Sequence, residues 1–240
     1  EADSDIDEAG FIVDEIKSLV NDGVNLSQIA LLYRSNAQSR VLEHALFNAA
    51  IAYRVYGGLR FFERQEIKHA LAYLRLLASD EDEGALLRVI NFPARGIGNR
   101  TLEQLQESAR AAGSSLWAAA RAMADARAPK TAGSAEVIPH PASLKGIPAF
   151  VALITQMRGA TADLPLPELI EHVIEQSGLK QHYQSEREGA DRLSNLDELI
   201  NAAAGFIADD AIEDSSLAAF LAHASLEAGD NQAQAGADAL

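Results

Sequence analysis

Apolar residues recur along most of the chain at the spacing of one helical face. In the first such segment, residues 9–21, the periodic positions are Phe11, Ile12, Ile16, Leu19 and Val20, and Asp22-Gly23 follows as an end signal. The same period predicts further helices over 41–46, 62–78, 84–91, 101–112, 114–125, 147–158, 166–177, 191–208 and 215–227. We therefore expect a predominantly helical chain.

Two short segments near the start have the pattern of strands. Ile29–Tyr33 is a continuous apolar run of the kind found in buried parallel strands, and Ala52–Tyr56 alternates in polarity. With the helices between them, the order helix, strand, helix, strand predicts part of a parallel α/β layer. The expected fold class is an α/β fragment joined at Gly57-Gly58 to a larger all-α domain. Residues 126–145, which are rich in small polar residues, are expected to form a long loop or an insertion.

Composition narrows the classes of function. Of the 240 residues, 48% are hydrophobic, enough for a sizeable core, and none is cysteine, which excludes disulfides and thiolate chemistry. No apolar run reaches the roughly 20 residues that span a bilayer, so we expect a cytoplasmic protein without a membrane partner. The six histidines are scattered along the sequence without the close pairing of a helical zinc motif, and no metal site is predicted.

The charge is unevenly distributed. The formal net charge of -15 argues against nucleic-acid binding, because phosphate contacts need lysine and arginine. However, residues 34–100 carry ten basic and seven acidic side chains, so this window is +3 and the remainder of the chain is -18. A basic window is compatible with a phosphate-binding surface, and ordinary variation over a charged surface explains it equally well.

The sequence lacks the motifs of a self-contained catalyst. It contains neither a GxxxxGK[ST] phosphate loop nor a GxSxG elbow, and Gly96-Ile97-Gly98 lacks the third glycine of a dinucleotide fingerprint. We therefore predict no catalytic residue in this chain, and no cofactor bound by it.

The first candidate site runs from Tyr33 to Arg40, where a predicted strand leads into a helix. Ligands of α/β folds gather at this edge, and backbone N–H groups at a helix start suit a phosphate. Arg34, Ser35, Asn36 and Arg40 are the candidate side chains. The alternative is that Ser35 or Asn36 caps the helix while the arginines remain solvated.

The second candidate site lies between two predicted helices and comprises Arg95, Gly96, Ile97, Gly98, Arg100 and Thr101. Glycines let a ligand approach the backbone closely, Ile97 can fill the gap between the helices, and the arginines add charge. Thr101 with Gln104 has the spacing of a capping box at the start of the second helix. A tight turn that needs glycine for a positive φ is the alternative.

The segment between the two sites marks a change of architecture. Gly57 and Gly58 are candidate hinge residues, although a plain loop between domains explains them equally well. Phe61 and Phe62 are expected to anchor the core rather than to stack on bases.

In this order the segments LLYRSNAQSRVLEHAL, YRVYGGLRFFERQEIKHALAYLRLL and NFPARGIGNRTLEQL resemble the UvrD/Rep/PcrA group of superfamily 1A DNA helicases. A looser similarity continues through SLWAAAR and FLAHASLEAGDNQA. The resemblance implies that residues 1–56 are part of a RecA-like subdomain called 2A. It further implies that residues 57–229 form most of a helical subdomain called 2B, and we expect 230–240 to be a frayed tail.

The same resemblance implies the roles of the candidate residues. Arg34, Ser35, Asn36 and Arg40 would contact single-stranded DNA, and the loop containing Gly96, Ile97, Gly98 and Thr101 would grip the duplex backbone. The parent protein would be an ATP-dependent 3′-to-5′ helicase using ATP and Mg²⁺ bound outside this chain. Its partners would be DNA at a single-strand/duplex junction, the other subdomains of the same chain, and possible repair proteins.

Two other hypotheses stay open at this point. The acidic helical surface could dock a protein partner or restrain a motor, with no direct DNA contact. The chain could also be an unrelated helical domain, in which case we expect a structure without a parallel pair of strands before Gly57.

Overall fold

The computed structural model describes residues 4–34, 38–55, 59–126, 146–209, 212–229 and 239–240. Eleven α-helices lie within these ranges: α1 Asp5–Asn21, α2 Gln38–Asn48, α3 Gln65–Ala78, α4 Glu83–Val89, α5 Asn99–Ala112, α6 Leu116–Asp125, α7 Gly146–Ala160, α8 Leu166–Gln176, α9 Leu179–Gln184, α10 Gly189–Ala208 and α11 Leu217–Gly229. Two 3₁₀ turns, Leu26–Gln28 and Phe61–Glu63, precede the first strand-like segment and α3 respectively.

The prediction of a partial parallel α/β layer is wrong. No β-sheet occurs in the described ranges, where Tyr53 has only an isolated bridge. Apolar composition makes a strand only where a neighbouring strand accepts and donates its backbone hydrogen bonds. Among the described residues no strand pairs with Ile29–Tyr33, and Leu32 on this segment is 97% exposed. The second segment pairs with the last residue instead: Leu240 donates to the Ala52 carbonyl and accepts from the Arg54 N–H.

All the predicted helices are confirmed, although their ends differ by a few residues. The end signal of the first helix is confirmed, since Gly23 follows α1 with φ +93°. Its start lies earlier than predicted, where Ser4 accepts a hydrogen bond from the Asp7 N–H. The apolar period did not reveal α9, a short helix set off from α8 by Gly178 at φ +82°. The predicted loop over 126–145 lies outside the described residues apart from Ala126.

The apolar side chains form two separate clusters. The small one, built by α1, α2 and the segment after α2, contains Val13, Ile16, Leu46, Ile51 and Tyr53. The large one extends from Phe61 to Ala224, and α3 lies at its centre in contact with α4, α7, α8, α9, α10 and α11. Phe61 and Phe62 belong to the large cluster, as predicted for core anchors.

A buried polar network joins the two clusters. Arg64 donates to Ser39 Oγ (2.6 Å) on α2 and to Asn195 Oδ1 (2.8 Å) on α10, and Asn195 in turn donates to Glu66 (2.6 Å). Beside it, Glu43 accepts from the Phe61 N–H (3.2 Å) and the Tyr53 hydroxyl (3.2 Å). Burial raises the pKa of Glu43, while its hydrogen bonds and Arg64 act in the opposite direction. Buried polar groups are stable only when they are paired, so this network fixes how α2 lies on α3 and α10.

No helix within the described ranges is long and apolar enough to cross a membrane.

Candidate nucleic-acid interface

The loop from Arg95 to Gly98 leads directly into α5 and is anchored from within. Ile97 is 1% exposed and belongs to the large cluster, whereas Gly96 and Gly98 on either side of it are exposed. The Asn91 side-chain oxygen accepts from the N–H groups of Arg95 (2.8 Å) and Ile97 (3.0 Å), and this fixes the turn. Ile97 therefore fills the gap beneath the loop, as the sequence suggested, and holds two glycine backbones at the surface.

The two glycines differ in backbone conformation. Gly96 has φ +74°, a value that side chains disfavour, whereas Gly98 has φ -85° and serves as the N-cap of α5. A Cβ built on either would meet nothing within 4 Å. The outward face of the loop is therefore open, and no side chain stands between its backbone and a ligand.

The capping box predicted at Thr101 is wrong. Helix α5 begins at Asn99 with Gly98 as its N-cap, so Thr101 lies in the first turn, where it is 2% exposed and donates its N–H to the Gly98 carbonyl (2.9 Å). The first N–H groups of a helix have no carbonyl partner within it, and those of Asn99 and Arg100 occupy these positions. This gives the helix start the donor geometry of an anion site.

The two arginines of the loop point in opposite directions. Arg95 donates to the carbonyls of Pro93 (2.9 Å) and Ser177 (2.7 Å), and its guanidinium lies 5.7 Å from the ring centres of Tyr73 and Phe150. Arg100, on the first turn of α5, is exposed. Arg95 therefore stabilises the interior of the fold, and Arg100 supplies the accessible charge.

The loop rests directly on the start of α7. A Cβ added to Gly146 would lie 2.5 Å from Ile97 Cγ1 and 2.6 Å from the Arg95 carbonyl oxygen. Real Cβ contacts are not this short, so only glycine at position 146 lets the loop lie where it does.

Only part of the first candidate site falls within the described residues. Arg34 is exposed, and its backbone N–H donates to Gln38 Oε1 (3.0 Å). Arg40 forms an ion pair with Glu198 on α10 (2.5 Å), in which the side chains are 12% and 13% exposed. Ser35 and Asn36, like the candidate hinge residues Gly57 and Gly58, lie outside the described residues. The structure does not bring Arg34 and Arg40 together on one charged surface.

The basic window of the sequence is less accessible than its net charge suggested. Arg60 and Arg64 are buried, Arg40 and Arg95 are engaged as described, and these four cannot contact phosphate without giving up internal partners. Among the basic residues that stay exposed, Lys68, Arg75 and Arg88 line a shallow groove of about 320 Å³ between α3 and α4. Sequence reasoning missed this grouping, which arises because positions 68 and 75 lie two turns apart on one face of α3.

The chain was also compared with known protein families and with curated proteins. Residues 1–121 match the family of the UvrD-like helicase C-terminal domain, and the chain belongs to this family. DNA helicase II of Escherichia coli is 45% identical over 240 residues, which are 99% of this chain and 32% of that protein. The ATP-dependent DNA helicase PcrA of Staphylococcus epidermidis is 34% identical over 230 residues, which are 95% of this chain and 30% of that protein. The chain thus spans about a third of the length of the curated relatives that it matches.

Family membership shows that one structural test expected from the sequence, the presence of a parallel strand pair, was wrong. A structure without a parallel strand pair before Gly57 was expected to indicate an unrelated helical domain, and the described residues indeed lack that pair. The family match covers this very segment, so the missing pair does not separate the chain from the helicases. The resemblance is confirmed for the family, while the assignment to subdomains stays a prediction.

Proposed function

We propose that the chain is the DNA-binding and regulatory portion of an ATP-dependent 3′-to-5′ DNA helicase. In this proposal, the loop Gly96–Arg100 holds the phosphate backbone of duplex DNA without reading its sequence. The observation that carries it is the pairing of a buried Ile97 with two exposed glycines at the start of α5. Backbone donors and a helix N-terminus recognise phosphate, which is the same at every base pair.

The inward orientation of Arg95 limits the strength of this contact. With Arg100 as the accessible cation of the loop, few counterions are released on binding. Each phosphate neutralised contributes about one to the slope of log affinity against log salt, so we expect this loop to contribute a slope of about one to two.

We further propose that Arg34, Ser35, Asn36 and Arg40 contact single-stranded DNA. The exposure of Arg34 supports this role. Arg40 would have to exchange Glu198 for a phosphate, and until then it acts by holding α2 against α10.

The two apolar clusters support a division into subdomains. The small cluster ends at Tyr53 and the large one begins at Phe61, on either side of the proposed 2A/2B boundary at residues 56 and 57. In this proposal Gly57 and Gly58 are the hinge.

The Gly96–Gly98 loop does not fit the phosphates of ATP. A phosphate loop needs a lysine that reaches the β- and γ-phosphates, and the arginine beside the Gly96–Gly98 loop is turned into the fold. No step of ATP hydrolysis is therefore assigned to these residues.

Charge reversal on α5 tests the duplex contact. Arg100→Glu should weaken binding to a duplex with a single-stranded end by about tenfold at low salt, since a phosphate contact becomes a repulsion. Arg110→Glu, at the far end of the same helix, is the matched control and should bind within about twofold of the unaltered chain.

Gly98→Asp tests the proposed contact between the loop backbone and phosphate in a variant that should stay folded. The φ of -85° accommodates a side chain, and aspartate is a favourable N-cap, so the variant should remain folded while its carboxylate repels phosphate. If both Gly98→Asp and Arg100→Glu bind DNA as the unaltered chain does, the loop is not the duplex contact.

A second candidate function is an acidic module that docks a protein or restrains the motor. The net charge of -15 favours it, as does the acidic first turn of α1 with Asp5, Asp7 and Glu8. A titration that finds no duplex binding even at low salt would support this function instead.

A further inference from the structure

We propose that His44, His223 and Glu227 bind a divalent transition-metal ion of the zinc class. The proposal does not depend on DNA binding. His44 lies on α2, whereas His223 and Glu227 are one turn apart on α11. Glu227 Oε1 lies 2.8 Å from His44 Nδ1 and 2.7 Å from His223 Nε2, and one ligand atom from each residue lies within 4.8 Å of the others.

These ligand types select the class of ion. Two imidazole nitrogens and one carboxylate suit Zn²⁺ and its neighbours in the first transition row, whereas Ca²⁺ and Mg²⁺ prefer sets made of oxygen alone. Tetrahedral ligands about 2.0–2.1 Å from zinc lie about 3.3 Å from one another. The observed contacts would therefore widen by roughly 0.5 Å when the ion replaces the hydrogen bonds, a change that side-chain rotation can supply.

The burial of Glu227 also favours a cation. This residue is 7% exposed, and its ion pairs within the described residues are with the two imidazoles. A buried carboxylate is costly unless a positive charge offsets it. A dication between the three side chains would provide the missing charge.

Asn48 completes the arrangement around His44. Its side-chain amide lies 3.1 Å from His44 Nε2, the ring nitrogen that does not face Glu227. When Nε2 accepts from the Asn48 amide, the proton of a neutral His44 ring lies on Nδ1, which then donates to Glu227. With the ion present, Nδ1 becomes the ligand, the proton resides on Nε2, and the amide turns so that its oxygen accepts. A partner of this kind fixes the ring of a metal-binding histidine.

The three side chains open onto a cleft through which an ion and a water ligand can enter. The cleft has a volume of about 420 Å³ and lies between α1, α2, α10 and α11. Three protein ligands with an open fourth position form the coordination of a zinc ion that retains a water. Because α2 packs in the small cluster and α11 in the large one, the ion would tie the two regions together.

Calorimetric titration of the chain with Zn²⁺ tests the proposal. We expect one ion per chain. His44→Asn and His223→Gln place an amide N–H where each ring N–H faces Glu227, so these variants keep the hydrogen bond and lose the ligand. Each should weaken Zn²⁺ affinity at least about a hundredfold, because even outer partners of a metal ligand contribute about ten- to a hundredfold.

His182→Gln is the matched control. His182 pairs with Glu186 at the same spacing of four residues (3.2 Å), but the second oxygen of that carboxylate pairs with Arg192 (3.2 Å) rather than with an imidazole. The loss of His182 should therefore change Zn²⁺ affinity less than about twofold. Co²⁺ in place of Zn²⁺ should give the visible absorption of a tetrahedral site, and His44→Asn should abolish it. Zn²⁺ affinity unchanged in folded His44→Asn and His223→Gln, or no binding by the unaltered chain at micromolar Zn²⁺, would overturn the proposal.

Discussion

The small region, residues 4–55, and the large region, residues 59–229, bury their apolar residues to very different extents. The large region has a continuous core around α3, in which Tyr73, Leu74 and Ile67 are 0% exposed. In the small region, Ile6, Phe11 and Leu32 are 73%, 68% and 97% exposed. The apolar period predicts helices in both regions, so periodicity alone does not distinguish a region that covers its own apolar surface from one that leaves it exposed.

The largest effect should come from a deletion in the large core. Phe150→Ala removes a 0% exposed ring that packs edge-on against Trp117 at 6.5 Å, and should lower the free energy of unfolding by about 3–5 kcal/mol. Ile16→Ala in the small cluster should cost about 2 kcal/mol, because exposed surroundings relax more easily. Urea unfolding followed by Trp117 fluorescence measures the first, and hydrogen exchange of α1 amides the second. Equal costs would show that the two regions are equally cohesive.

The buried network is the next most sensitive point, since Arg64 joins Ser39 of the small region to Asn195 of the large one. Arg64→Met should cost about 3 kcal/mol, because buried acceptors and carboxylates lose their donor. Hydrogen exchange in α2 should accelerate more than exchange in α3. Arg75→Met, an exposed arginine bonded to Ser225, is the control and should cost less than about 0.5 kcal/mol. A similar loss of unfolding free energy in both variants would show that the buried network stabilises the fold no more than an exposed contact does.

Lowering the pH should destabilise mainly the large region. Burial, with the positive charges of Arg88, His182 and Arg192, lowers the pKa of His69 to about 4, below its unfolded value of about 6.5. Between these pH values His69 binds a proton in the unfolded chain but not in the folded chain. The free energy of unfolding therefore falls as the pH drops from about 6.5 to 4. The loss should be about 2–3 kcal/mol, and His69→Gln should reduce it. A pH dependence unchanged in His69→Gln would contradict this account.

The smallest effect should come from the open surface of the small region. Leu32→Ser should change the free energy of unfolding by no more than about 0.5 kcal/mol, since the side chain is 97% exposed. Sedimentation should show less self-association at high concentration, because an exposed apolar group is lost. Leu46→Ser, at 3% exposure, is the buried counterpart and should cost several-fold more. A cost above about 1 kcal/mol for Leu32→Ser would mean that this surface is covered.

Local signals predicted the helices but not the pairing of extended segments. The spacing of Ile67, Leu71 and Leu74 depends on a single helix, so the local sequence is enough to predict that helix. Whether Ile29–Tyr33 forms a strand depends on a distant backbone, and here the described residues offer none. In the second segment, Ala52 and Arg54 do have a backbone partner, but it is Leu240, far away in the sequence.

The candidate interface shows the same limit at the level of side chains. Glycine, isoleucine and glycine in a row predicted the anchored loop, because size and polarity act locally. The direction of Arg95 could not be predicted, since it depends on the Ser177 carbonyl 82 residues away. The His44 cluster was missed for a similar reason, although the spacing of His223 and Glu227, one helical turn, was a local signal of a shared face.

The contact between Gly146 and the Ile97 loop has a consequence for reading genetic variation. A single methyl group at position 146 would displace the loop from its buried side, because its Cβ would lie 2.5 Å from Ile97 Cγ1 and 2.6 Å from the Arg95 carbonyl oxygen. An alanine allele would then resemble a lesion in the loop itself, although it alters neither a charge nor any exposed residue. A survey of loss-of-function alleles that considers only surface positions would overlook it.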